Sequence, residues 1–517
     1  MALNPESSGF RISKRLVLVN SASSVVTRFL NMTVLLWVFQ YLIKRIPAEE
    51  FAVYPVVSAV MVAAPLFFLV FTGGISRYMV AAHVQGDDEQ VTRIVSTILP
   101  LLALASLVFL GVGLTFAFHV DNILNIPDNM IGEARLMIAL LVTSYAIRMI
   151  FLPFEAGFHV RQRFVELNLL SVGQELLKVS FLLFLLIGIG PKVLWVVVAT
   201  VIAELIMVVV MTFRGAYLLP SLRVRRRMFD RSRARELMSF GLWSTLGHLS
   251  AMMQTDAAVV ILNLFATAVD VTSFYVGSTL YGQINRTIQL GMSPLQPVLT
   301  AMHSVDEQRR LAMTAMRGGR YACWIALAVA VPLAIYAREF TLLYVGETYL
   351  SAAWVIGLLM AVQVLARPTA FMAMVAVAKA QVRNYYLATF LIMLISVIAM
   401  IFVARSGYGA VGVALTLAVT IFLGYVFFFW PFFLRLINIG TAEFLRQVVV
   451  PGVLPAVAGS VVWILLKMVV TIDNWGVLFL CSVAGGTVYL AVLFGACLSA
   501  TDKADLSGVL GRIRARQ

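Results

Sequence analysis

The chain has 517 residues, of which 61% are hydrophobic and only 12% charged, and its mean hydropathy is +0.94. So little charge cannot cover a water-soluble globule, and apolar runs of about 18 residues or more recur along the whole length, so composition alone predicts an all-α integral membrane protein. A transmembrane barrel is excluded, because its strands alternate apolar and polar residues in runs of about 10.

The net charge of +14 does not call for nucleic acid, since cytoplasmic loops of membrane proteins collect Lys and Arg whatever the function. The three cysteines, Cys323, Cys481 and Cys497, lie in apolar runs without metal-ligand spacing. Neither a metal nor a cofactor is expected. Met1–Arg15 reads as a short polar tail, and the long, polar-studded run after it does not read as a cleavable signal.

Taken in order, fourteen spans are predicted: 16–43, 53–73, 91–117, 134–154, 165–188, 191–213, 237–264, 272–300, 320–337, 352–377, 385–404, 409–433, 445–470 and 476–499. With the N-terminus inside, 27 of the 39 Lys and Arg fall on the cytoplasmic side and 7 on the other. That asymmetry predicts two cytoplasmic termini and an even number of spans. No loop approaches the roughly 50 residues that a domain of its own would need.

The longest polar interruption follows the sixth span. It carries Arg214, Arg223, Arg225, Arg226, Arg227, Arg231, Arg233 and Arg235 around Pro220. The expected organisation is an N-terminal lobe at 1–213, a basic cytoplasmic linker at 214–236, a C-terminal lobe at 237–435, and an extra helix pair with a basic tail at 436–517. Two lobes of six spans share one topology, so a pseudo-two-fold along the membrane normal is expected, with the substrate site between them.

Ionisable groups inside spans are costly and usually face a bundle interior or a wet cavity. Span 1 places Asn20, Ser24, Thr27, Arg28 and Asn31 on one helical face. Span 4 aligns Ser144, Arg148 and Glu155, and span 8 aligns Thr279, Gln283 and Arg286. Span 10 has Gln363 and Arg367 one turn apart, followed by Pro368, where the helix should bend. Span 7 carries Ser244, His248, Thr255 and Asp256. Structural readings stand beside the functional ones. Glu175 and Lys178 suit an ion pair that Glu204 joins, His248 suits helix packing, Glu155 suits the interface, and Arg148 and Arg367 are near enough to helix ends to snorkel. Arg28 and Arg286 have no carboxylate beside them in sequence. Arginines sharing a cavity suit a phosphate-bearing substrate, and Asp256 is the candidate for a coupling proton or sodium ion.

Several landmarks resemble one family. Ile46-Pro-Ala-Glu-Glu-Phe-Ala-Val-Tyr54 looks like the turn after the first span of bacterial polysaccharide exporters. Gly74-Ile-Ser-Arg-Tyr78, Gly86-Asp-Asp-Glu89 with Arg93, Pro153 with Gly157 and Gln162-Arg163-Phe164, Ser239-Phe-Gly-Leu242 through Thr255-Asp256, and Leu343 to Tyr349 follow in the family's order. The chain is similar to the polysaccharide transporter (Wzx-type flippase) branch of the multidrug/oligosaccharidyl-lipid/polysaccharide (MOP) superfamily. The resemblance implies two lobes around a central cavity, alternating access, and a bacterial inner-membrane location. It implies a lipid-linked glycan substrate, undecaprenyl-pyrophosphate oligosaccharide, and partner polymerase or assembly proteins. Related lipid II flippases carry cavity arginines on the first and eighth spans, which here transfers to Arg28 and Arg286 alone. The substrate-binding set expected is therefore Arg28, Arg286, Asn31, Gln283, Arg148 and Arg367. A cation-coupled drug or metabolite exporter of the same superfamily is the alternative. A membrane glycosyltransferase or polymerase is disfavoured, since only Asp121, Asp128 and Glu133 occupy an outside loop of about 16 residues.

Overall fold

A computed structural model describes residues 37–65, 67, 68, 79, 82, 83, 86–161, 163–225, 228–292, 295, 296, 299, 302, 303, 307–379, 381–499 and 502. Among the described residues there is no strand, and helices account for nearly all of the chain. The principal ones are α1 (Ala48–Met61), α2 (Asp88–Phe118), α3 (Ile131–Phe151), α4 (Phe164–Gly188), α5 (Leu194–Leu218), α6 (Arg231–Phe265), α7 (Ala268–Met292) and α8 (Gln308–Ile335). They continue with α9 (Ser351–Ala378), α10 (Val382–Arg405), α11 (Gly409–Ile437), α12 (Thr441–Val469) and α13 (Trp475–Cys497).

Ten of the described helices are long and apolar enough to cross a membrane. Every predicted span from the third to the sixth and from the ninth to the fourteenth coincides with one of these. Of the other four expected spans, the first two are only partly described. Residues 16–36 of the first lie outside the described residues, as do residues 66 and 69–73 of the second. α6 and α7 are long enough, but their Ser, Thr, Gln, Asn and charged residues dilute the apolar content. Among the described residues, Leu249–Phe265 of α6 forms a shorter apolar helix.

By packing, the described chain falls into two units. The first runs to Thr272 and takes in Tyr386–Gly407. Its core lies where α2 packs along α3, and α5 packs on both α3 and α4. Val91, Ile94, Val95, Ile98 and Leu102 of α2 are buried there at helical spacing. The opposite face of α2 exposes Leu104 by 62% and Leu107 by 66%, as a lipid-facing stripe should. Two glycines permit the close approach of α5 to the end of α3: a Cβ on Gly215 would sit 2.1 Å from the Phe154 carbonyl oxygen.

The second unit comprises Ser273–Tyr385 and the chain from Tyr408 onward. Its centre is α8, which packs against α9 and α12. α9 is interrupted where expected. A 3-10 turn at Arg367–Thr369 replaces the α-helix around Pro368, which has no N–H to give. The carbonyl of Pro368 nestles onto Gly319 of α8, where a Cβ would lie only 2.2 Å away. The C-terminal pair α12–α13 is laced to α8 by indole and phenol groups. Trp324 Nε1 donates to the Pro451 carbonyl at 2.8 Å, Tyr489 Oη to that of Trp324 at 2.8 Å, and Tyr336 Oη to that of Trp463 at 2.9 Å.

A buried carboxylate fastens the end of this pair. Asp502, 2% exposed, accepts from Arg317 at 3.0 Å, from Arg320 at 2.5 Å and from the Tyr321 hydroxyl. It also accepts from the backbone N–H and hydroxyl of Ser499, at 3.0 and 2.6 Å. Arg320 donates once more, to the Gln447 carbonyl at the start of α12 at 3.1 Å. Burial alone would raise the Asp502 pKa, but Ser499, Tyr321 and Arg320 outweigh it and hold the carboxyl at about 2.

Candidate functional site

Within the second unit, α7 and α9 bring three of the polar intramembrane positions together. Arg367 donates to Asn285 Oδ1 at 2.7 Å, and Gln363 Nε2 donates to the same oxygen at 3.3 Å. Gln363 and Arg367 lie one turn apart on α9, so both reach the one amide of α7. Gln363 is fully buried. Its Oε1 and the Arg367 Nε are buried without a hydrogen-bond partner. Tyr425 and Cys323 stand within electrostatic range of the guanidinium. Among the described residues no carboxylate pairs with Arg367, nor with Arg286, which is exposed on α7 next to Asn285. A cation held by a neutral amide keeps its charge available, and its spare donor suits an anionic oxygen. Gln283 is half-buried one turn earlier, and its carbonyl accepts from Thr287.

In the first unit Arg148 behaves differently. Its guanidinium donates to Glu204 of α5 at 3.0 Å, and Ser144, one turn away, donates to the other oxygen of that carboxylate at 2.7 Å. The charge of Arg148 is therefore matched, with Glu155 and Tyr145 nearby. Glu204 does not join Glu175 and Lys178, which pair by themselves at 3.7 Å as their spacing predicts. Asp256 sits half-buried on α6. Arg28 and Asn31 lie outside the described residues, and the side chains of Ser244 and His248 are outside them as well. No group of three or more His, Cys, Asp and Glu side chains among the described residues could hold a metal ion.

One arrangement had no signal in the sequence. Asn263, near the end of α6, clasps the backbone of Asn125. Its Oδ1 accepts from the Asn125 N–H at 3.0 Å and its Nδ2 donates to the Asn125 carbonyl at 2.8 Å. The clasp closes over a cavity of about 330 Å³ in the first unit, lined also by Glu49 and Thr267 over a floor of Val53, Val56 and Val271. The two asparagines are 138 residues apart, and a lone Asn near a helix end reads from sequence as a cap.

Comparison with known proteins follows the same lines. The profile of a family described as "Polysaccharide biosynthesis protein" matches residues 17–303. A membrane protein of Bacillus subtilis (strain 168), the uncharacterized EpsK, is 20% identical over 341 residues. That match covers 65% of this chain and 66% of EpsK, just under two thirds of its length. Among solved structures, the lipid II flippase MurJ in an inward closed conformation superposes with a TM-score of 0.67 at 12% identity, covering 92% of this chain and 99% of MurJ. A multidrug resistance MATE family transporter of the MOP superfamily, in an inward-facing conformation, gives 0.66 at 14% identity, over 80% of this chain and 98% of its own. These likenesses establish the fold, the one shared by MurJ and the MATE transporter.

Proposed function

The chain belongs to the polysaccharide biosynthesis protein family, and on that premise we propose that it is a flippase for lipid-linked oligosaccharide, carrying undecaprenyl-pyrophosphate glycan from the cytoplasmic to the periplasmic leaflet of the bacterial inner membrane. The observation that carries this reading is the Arg367 guanidinium, set on α9 without a carboxylate partner among the described residues and held by Asn285, which Gln363 also contacts. A pyrophosphate brings the negative charge that this position lacks. Arg286, likewise without a carboxylate partner among the described residues, adds a second cation on α7. Amide and hydroxyl groups of α7 suit the sugar, and the prenyl chain stays in lipid. In this reading Arg28 and Asn31 contribute from span 1, and the two lobes alternate access to the site. Arg148, neutralised by Glu204, supports the lobe rather than the pyrophosphate. A proton or sodium ion at Asp256 is the coupling this reading allows.

The test is complementation of a deletion strain. Arg367→Gln and Arg286→Gln should accumulate in the membrane at wild-type levels and fail to restore surface glycan, while Arg367→Lys restores part of it. Normal surface glycan in both glutamine variants would remove the arginines from the mechanism. Intact glycans with altered drug tolerance in the deletion strain would favour a cation-coupled exporter.

A further inference from the structure

The basic linker is the sequence feature that the transport reading leaves unused. Its described part is held in register. Leu219 and Leu222 are buried in the core of the first unit. Three hydroxyl side chains of α2 then grip the linker backbone. Thr92 Oγ1 donates to the Ser221 carbonyl at 2.9 Å, Ser96 Oγ accepts from the Arg225 N–H at 2.8 Å, and Thr97 Oγ1 accepts from the Asp230 N–H at 3.1 Å. All three side chains are buried. Arg161 secures the root of the linker through its Nε, which donates to the Leu218 carbonyl at 3.0 Å.

What this grip displays is charge. Arg161, Arg223 and Arg225 are exposed and have no carboxylate partner among the described residues. Neighbouring arginines are matched: Arg214 pairs with Glu166, and Arg93 with Glu89 at 3.4 Å. The depth of the display is marked by Phe213 and Tyr217, both 75% exposed at the end of α5, an aromatic pair of the kind that sits at head-group level. Arg223 and Arg225 follow within a few residues, interleaved with exposed Val224 and Phe229. The side chains of Arg231, Arg233 and Arg235, and the whole of Arg226 and Arg227, lie outside what the structure describes.

An excess of arginine on the cytoplasmic side needs no fixed backbone. Solvated charges orient a membrane protein equally well from a loose loop, and ordering a loop costs conformational entropy. Buried hydroxyls that fix the register point to a partner with its own geometry. We propose that this strap is a docking surface for anionic phospholipid head groups of the cytoplasmic leaflet. Arg161, Arg223 and Arg225 engage the phosphodiester, for which the guanidinium fork is suited, and Val224 and Phe229 rest at the acyl boundary. The assignment stands apart from the transported substrate.

The experiment uses the full chain, delipidated in neutral detergent, with short-chain phosphatidylglycerol titrated by native mass spectrometry. Short-chain phosphatidylcholine and inorganic phosphate are the comparison probes. Phosphatidylglycerol should bind, phosphatidylcholine should not, and inorganic phosphate should not displace the lipid. R223Q/R225Q should weaken binding roughly fivefold per arginine removed, with an unchanged melting temperature because both side chains are exposed. R223K/R225K should retain most of the affinity. S96A/T97V, which keeps every arginine but loosens the register, should also weaken it. Undiminished phosphatidylglycerol binding by R223Q/R225Q would overturn the proposal. Equal binding of the two lipids by the wild type would overturn it too, and make an acidic protein the occupant to seek. If the glutamine variant fails to fold, the salt dependence of the wild type carries the test: raising ionic strength tenfold, from about 50 mM, should abolish the preference.

Discussion

Asp502→Asn keeps the shape of the side chain that fastens the C-terminal helix pair and removes its charge. The wild-type carboxylate accepts from Arg317, Arg320, Tyr321 and twice from Ser499, with its side chain 1% exposed. In the variant Arg320, whose side chain is 10% exposed, loses its counter-charge and is left with neutral acceptors, the Gln447 carbonyl among them. Two routes give the magnitude. Holding the carboxyl at about 2 rather than 3.8 corresponds to about 2.4 kcal/mol at 1.36 kcal/mol per pH unit. Breaking a buried pair from one side costs about 3–5 kcal/mol. A loss of about 3 kcal/mol is therefore expected, or roughly 10²-fold in the equilibrium for local opening. Cys497, 5% exposed and within electrostatic reach of Arg320, reports that opening. With Cys323 and Cys481 replaced by Ala, maleimide should label Cys497 about 10²-fold faster in Asp502→Asn than in the parent. Because the folded pKa is depressed, the carboxylate's contribution is fully present above the unfolded value near 4. It drains away only as pH falls through about 2. The ratio should accordingly be the same at pH 6 and pH 8. A second variant, Arg320→Leu with Asp502→Leu, should label more slowly than Asp502→Asn, since the buried charge of Arg320 goes with its partner and the cation left behind, Arg317, is 33% exposed. A labelling ratio below about threefold would refute the reasoning.

Three further outcomes follow. Glu204→Gln strands Arg148, but the arginine side chain is 42% exposed, so screening limits the loss to about 1–2 kcal/mol. It should lower the melting temperature of the purified protein by a few degrees, and Arg148→Met in the same chain should recover most of it. Gly319→Ala would put a Cβ 2.2 Å from the Pro368 carbonyl oxygen; overpacking against backbone should cost about 3 kcal/mol and abolish membrane accumulation on immunoblots. Gly132→Ala, with nothing within 4 Å, should accumulate normally. Asn263→Ala removes both bonds to the Asn125 backbone, worth about 1–2 kcal/mol, and should speed hydrogen exchange of the Asn125 amide about tenfold.

Helices were legible because lipid leaves the backbone no alternative and demands long apolar runs. The break in α9 was legible too, since Pro368 has no N–H to offer. Glu175 and Lys178 could be paired from their spacing alone. Partner choice across helices was not legible. Arg148 meets Glu204 56 residues away, and Arg320 meets Asp502 182 residues away. Neither separation leaves a periodic trace, and an isolated arginine in an apolar run looks the same whether it is paired or open. That is why Arg148 and Arg367 read alike in sequence, although Arg148 meets Glu204 and Arg367 meets no carboxylate among the described residues. The clasp of Asn263 on Asn125 is invisible for the same reason. α6 and α7 were expected as spans despite their polar side chains, and both form as long helices, Arg231–Phe265 and Ala268–Met292.

The central claim is tested most directly in the lipids of a strain deleted for this gene, with undecaprenyl-pyrophosphate-linked oligosaccharide quantified against wild type. Accumulation of one complete glycan-lipid in the deletion, cleared by the wild-type chain and not by Arg367→Gln, is the predicted result. No accumulation, with the initiating glycosyltransferases shown to be active, would contradict it.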